Sequence, residues 1–126
     1  AMAEEKYFSP TLLELGKGAL DSDSADETTE DAIDDHNKIA NAADAALNEK
    51  VGSDAWWECV DKANYQNSAH LSEEERQGLT DFRRRVPLEK RIALGIKYLA
   101  FEADHVTNVE REEKDPDAYI KENEAA

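Results

Sequence analysis

At 126 residues the chain is long enough for one domain with a modest core, and it sets 30 Asp and Glu against 15 Lys and Arg, a net charge of −15. A field of that sign repels DNA, RNA and anionic lipid and attracts basic surfaces, which excludes direct nucleic-acid and membrane-surface binding as expectations. The single Cys59 excludes an intrachain disulfide, and no apolar run approaches the roughly 18 residues of a membrane span.

The start of the chain, Ala1-Met2-Ala3-Glu4-Glu5, is acidic and unlike a signal peptide; Ala1 reads as a tag remnant ahead of a native Met2. A reducing, cytoplasmic location, in a cell or an infected host, is expected. Tyr7 and Phe8 precede Ser9-Pro10, a good N-cap followed by Pro at the first helical position, and Leu12, Leu13 and Leu15 make a short helix that Gly16 and Gly18 weaken. Residues 21–35 carry eight carboxylates (Asp21, Asp23, Asp26, Glu27, Glu30, Asp31, Asp34, Asp35) and no base. The first part, 21–27, is expected to be a solvated acidic loop, because like charges at this density repel.

From about Thr28, Ile33, His36, Ala40, Ala43 and Leu47 fall three and four apart, the stripe of an amphipathic helix. Gly52-Ser53 ends it and caps the next, where Trp56, Val60 and Ala63 share a face. Trp57 lies about 100° round from Trp56. Residues 64–71 read as a loop, since Ser72 with Glu75 three residues on has the form of a capping box. Leu79, Phe82 and Val86 then form an apolar face that Pro87 interrupts. Leu88, Ile92, Ile96, Leu99, Ala103 and Val106 predict one long buried helix from Leu88 to Glu113, spanning about 39 Å. Tyr98, Phe101 and His105 occupy a neighbouring face. No alternating strand pattern longer than four residues and no repeat occurs. The expected fold is all-α: a single-domain bundle of four or five helices with a long C-terminal helix, and residues 1–8 and 115–126 poorly ordered.

Few residues carry a chemical signature. Glu102 and His105 are three apart on a predicted helix, so they project to one side and are weak candidates for metal ligands, but known sites of that kind need two such pairs and further Glu. His36 and His70 have no partners at ligand spacing. The acidic run fails the calcium-loop pattern, having Ala25, Asp26 and Ala32 where ligand, glycine and glutamate belong. Gly16-x-Gly18 lacks the third glycine of a dinucleotide loop. Cys59 lies among Glu58 and Asp61, which disfavour a thiolate. No metal, no cofactor and no enzymatic activity are therefore expected.

Charge layout is more informative. Residues 1–50 carry −9, 51–75 carry −5, 76–97 carry +5 and 98–126 carry −6. Arg83, Arg84 and Arg85, with Arg76, Lys90, Arg91 and Lys97, form the one basic patch, read as neutralising the chain's own acidic helices or meeting those of another subunit. The expected function is a small, non-enzymatic interaction protein. Its carboxylates, Asp21, Asp23, Asp26, Glu27, Glu30, Asp31, Asp34 and Asp35, with Trp57, would occupy a basic site on a partner, in the sharpest form as an inhibitor that mimics nucleic acid. The alternative is a helical oligomer subunit with a carboxylate–histidine metal site.

Overall fold

The computed structural model describes residues 2–15, 25–107 and 113–123. The fold is all-α, with no strand among the described residues. A π-helical turn, Glu4–Phe8, runs directly into α1, Ser9–Glu14. Then follow α2 (Ala25–Leu47), α3 (Asp54–Arg76), α4 (Gly78–Arg85), α5 (Leu88–Asp104) and α6 (Pro116–Asn123). No helix among them is long and apolar enough to cross a membrane.

The frame is the hairpin of α2 and α3. Alanines along α2 favour the helix and keep its surface low, so α3 approaches closely, with Ala42 and Ala46 buried. The turn between them needs a backbone that bends back sharply. Gly52 supplies it at φ 83°, a left-handed conformation costly for residues with a Cβ. Ser53 then caps α3, its hydroxyl accepting from the Trp56 amide at 3.2 Å.

Both chain ends close over one end of this hairpin. Leu12 and Leu13 of α1 pack with Ile33 of α2 and with Tyr119 and Ile120 of α6, and Phe8, Leu15 and Phe82 extend the cluster. Complete burial of a leucine contributes about 1.5–3 kcal/mol, so this small nucleus is what holds the ends in place. Tyr119 adds a directional tie: its hydroxyl donates to the Glu5 backbone carbonyl. Residues 2–8 and 116–123, expected to be poorly ordered, are helical, and Ala3, Glu4, Glu5, Tyr119 and Ile120 are buried.

Several expectations are corrected. Among the described residues there is no long C-terminal helix. α5 stops at Asp104, where the His105 ring turns back so that Nδ1 meets the Phe101 carbonyl at 2.7 Å and stacks on the Phe101 ring; the last helix, α6, has 8 residues. Residues 64–71 are not a loop. α3 passes through them without a break because no Gly or Pro interrupts, and Ser72 sits inside the helix with its carbonyl accepting from Arg76. The stripe assigned to the core of α5 faces outward, Leu88, Ile92, Ile96 and Leu99 being 55–71% exposed, since α5 rests chiefly on the N-terminal turn through its other side, where Tyr7 meets Phe101 edge to face. On α2 the buried positions are Thr29, Ala32, Ile33, His36, Ala42 and Ala46, while Leu47 is exposed. Helix α2 also begins at Ala25, so residues 25–27 of the expected acidic loop are helical; residues 21–24 lie outside the described residues, as do Gly16 and Gly18.

Candidate metal centre

His36 and His70, set aside in the sequence for want of neighbours, face each other in the interior. The hairpin brings them together, one from α2 and one from α3, with their Nε2 atoms 3.0 Å apart and their rings 5–6% exposed. From the π-helical turn, Glu4 reaches between them: its Oε2 lies 2.8 Å from His36 Nε2 and 3.5 Å from His70 Nε2. Glu74, one turn beyond His70 on α3, places Oε1 3.1 Å from the same His70 nitrogen. Four donors, two nitrogens and two carboxylate oxygens, thus lie within 4.8 Å of one another.

These separations have a meaning in coordination geometry. With metal–ligand bonds of about 2.1 Å, neighbouring donors stand about 3.0 Å apart at a right angle and about 3.4 Å apart at the tetrahedral angle. The observed 2.8, 3.0, 3.1 and 3.5 Å fall around those edge lengths.

The opposite ring nitrogens strengthen the resemblance. His36 Nδ1 meets Glu5 Oε1 at 2.8 Å, and His70 Nδ1 meets Asp35 Oδ2 at 3.2 Å. A carboxylate on Nδ1 fixes a proton there and turns the Nε2 lone pair inward, the arrangement that orients histidine ligands in metalloproteins. A further layer holds these carboxylates. Lys114 Nζ pairs with Glu5, and Lys114 is itself fixed where its carbonyl accepts from Asn37 at 2.9 Å. Lys38 lies 3.7 Å from Asp35.

Electrostatics follow from burial and these contacts. Burial alone would depress both imidazoles, but Glu4 and Glu74 outweigh it and push His70 up to about 10, while Glu4 and Glu5 raise His36 in the same way. Burial would raise Glu4, yet its hydrogen bonds to the two imidazoles hold it far below the usual carboxylate range. Glu5 is lowered by His36 and Lys114 against the same desolvation. Glu74 goes the other way, raised by burial and by its acidic neighbour Glu4. Two inward lone pairs 3.0 Å apart repel, so positive charge belongs among the four donors. Two protons supply it, and so does one divalent ion, which would displace those protons without altering the net charge of the cluster.

A cavity of about 30 Å³ adjoins the cluster; Glu4, Asp35, His70 and Glu74 line it together with Thr28, Thr29 and the apolar Phe8 and Leu12. Both threonine hydroxyls are buried and, among the described residues, have no hydrogen-bond partner. Such an orphan costs about 1–3 kcal/mol, and the cavity has room for a water or two that could satisfy it.

The sequence candidates lie elsewhere. Among the described residues Glu102 and His105 join no metal-like group, because His105 is committed to Phe101 and Glu102 is exposed. Glu27, Glu30, Asp31 and Asp34 are exposed on α2 and Asp26 is half-buried, while Asp35 turns inward to His70; Asp21 and Asp23 lie outside the described residues. Burial and crowding by Glu73, Asp35 and Asp34 raise Asp31. Trp57 is 52% exposed, its ring edge-on to Trp56. Arg83, Arg84 and Arg85 are exposed at the C-terminal end of α4, where Arg84 and Arg85 have partners within the chain. Nearby Lys90 reaches Glu14 at 3.0 Å. Cys59 is half-buried on α3.

No protein-family model matches this chain, and no curated protein or solved structure matches it either.

Proposed function

We propose that the protein binds one divalent first-row transition ion through His36 Nε2, His70 Nε2, Glu4 and Glu74, with Glu5 and Asp35 orienting the imidazoles. The observation that carries this reading is the convergence of four donors within 4.8 Å, each imidazole backed by its own carboxylate. Two nitrogens with two oxygens suit zinc, cobalt, manganese or ferrous iron rather than the all-oxygen shell preferred by magnesium or calcium. The cavity beside Thr28 and Thr29 shares Glu4, His70 and Glu74 with the cluster, so a water held there would be placed to complete the shell of such an ion, which would then supply Lewis-acid chemistry. Titration of the metal-free protein with Co(II), followed by its visible d–d bands and by calorimetry, tests the reading. One equivalent should bind to the wild type and be lost in His70→Ala and Glu4→Gln. Uptake that survives both substitutions overturns it.

Self-association is a second reading, favoured by the outward stripe of Leu88, Ile92, Ile96 and Leu99, which in a monomer leaves four large apolar side chains in water. The charge-based reading, in which Glu27, Glu30, Asp31 and Asp34 engage a basic partner, is supported by the exposure of all four carboxylates along α2. Binding that does not weaken with salt would remove it.

A further inference from the structure

The same two carboxylates, Glu4 and Glu74, form part of the wall of a second and larger cavity, a groove of about 280 Å³ between the N-terminal turn, α4 and α5. Its walls are mostly apolar, with Phe8, Leu79, Phe82 and Leu94 contributing, and its size is at the small end for small-molecule sites. One cation looks into it. Arg91 lines the groove half-buried, and its Nε donates to the Val86 carbonyl at 3.0 Å. That bond fixes the guanidinium plane, and among the described residues its two terminal amino groups make no hydrogen bond or ion pair. Among the described residues Arg91 has no carboxylate partner, although acids outnumber bases two to one in this chain. By contrast Lys90, its neighbour in sequence, is paired with Glu14.

An arginine held by its Nε and unpaired at its tip, beside an apolar wall, is the recognition unit for a carboxylate carrying an apolar body, because the planar fork accepts two carboxylate oxygens side by side. The acids that also face the groove are already engaged: Glu4 with both imidazoles and Glu74 with His70. Gly95 lies mid-helix on α5 at the groove wall, and a Cβ added there would meet nothing within 4 Å, so a side chain at this position has room to enter the groove.

We infer that this groove binds a small monocarboxylic acid, its carboxylate on Arg91 and its apolar body along Phe8, Phe82 and Leu94, next to the Glu4–Glu74 side of the metal cluster. The inference goes beyond the metal reading and does not depend on it, because none of the binding groups named is a metal ligand.

Octanoate is a suitable probe and octan-1-ol its uncharged counterpart. Both are titrated into the whole 126-residue chain, once in EDTA and once after loading with Co(II), by calorimetry and by amide chemical-shift mapping. Octanoate should bind saturably with one site, at least tenfold more tightly than the alcohol, and shift amides around Phe8 and Gly95. Arg91→Met keeps the apolar stem and should weaken octanoate at least tenfold while leaving the alcohol unchanged. Gly95→Phe, which favours the helix, should fill the groove and abolish both, with circular dichroism confirming the fold. Equal binding of acid and alcohol, or octanoate binding undiminished in Arg91→Met, overturns the inference. Cobalt uptake without octanoate binding sinks the groove alone; octanoate binding without cobalt uptake sinks the metal reading alone.

Discussion

Because Nε2 of each histidine must lose a proton before it can ligate, metal uptake should depend steeply on pH. His70 is raised to about 10 by Glu4 and Glu74, and His36 is raised above its ordinary 6.5 by Glu4 and Glu5. At pH 7 an ion therefore competes with a proton on His70 at a disadvantage of about a thousandfold, roughly 4 kcal/mol, and with a second proton on His36. Apparent affinity should climb by one to two decades per pH unit, or about 10²–10⁴ between pH 6 and 8. Calorimetry in two buffers of different ionisation enthalpy counts the protons released, and between one and two per ion are expected at pH 7. The metal-free protein should behave in the opposite sense. A histidine whose folded value exceeds its unfolded value contributes stability that is complete below about 6.5 and is lost as pH rises through about 10, here up to roughly 5 kcal/mol. Glu4, held low in the fold, contributes stability above its unfolded value near 4.5 that is lost on acidification. Thermal melts without metal should thus be highest between about pH 5 and 6.5, and added metal should restore the alkaline side; Glu5, Asp35 and Glu74 also face the imidazoles, and Lys114 pairs with Glu5 behind them. Uptake that is flat from pH 6 to 8, with no proton release, would refute the reasoning.

Asp35→Asn removes the charge behind His70 Nδ1 and should weaken cobalt binding about 10–100-fold while the helix signal stays unchanged, whereas His105→Ala should leave affinity alone; competition with a chelator measures both. Leu12→Ala opens the small nucleus where the chain ends meet and should cost about 2–5 kcal/mol in urea unfolding. Ile96→Glu places a charge in the centre of the outward stripe of α5, and sedimentation should show it dissociating a wild-type dimer; a wild type that sediments as a 14 kDa monomer removes the oligomer reading.

The hairpin was legible where local chemistry is unambiguous. Gly52-Ser53 marks its turn, and Ile33 with His36 marks the inner face of α2, because left-handed glycine, hydroxyl capping and apolar spacing act within a few residues. The centre itself was not. Reading 64–71 as a loop detached His70 from α3, since Ser72 and Glu75 imitate a helix start that packing against α2 overrides. Had α3 been taken as continuous, the two histidines would have stood out: each is 17 residues from Ser53, so an antiparallel hairpin folding there sets them face to face. Glu4 and Glu5 gave no signal at all. In a chain with 30 acids nothing local distinguishes the two that enter the interior, and they are placed by tertiary packing of Leu12, Tyr119 and Ile120.

That placement bears on how the molecule comes together in time. Helices α2 and α3 are joined by a short turn and can pair early, yet two of the carboxylates around their histidines, Glu4 and Glu5, come from the N-terminal turn, which Tyr119 of α6 secures. Contacts spanning 32 and 114 residues form slowly, since the chain must lose much conformational freedom before they hold. An ion gripped by Glu4, His36, His70 and Glu74 would bind only after that docking and would act as a removable cross-link, stabilising the closed ends in proportion to the logarithm of its concentration. Amide exchange in the first dozen residues would then slow on metal addition far more than exchange at the Gly52 turn.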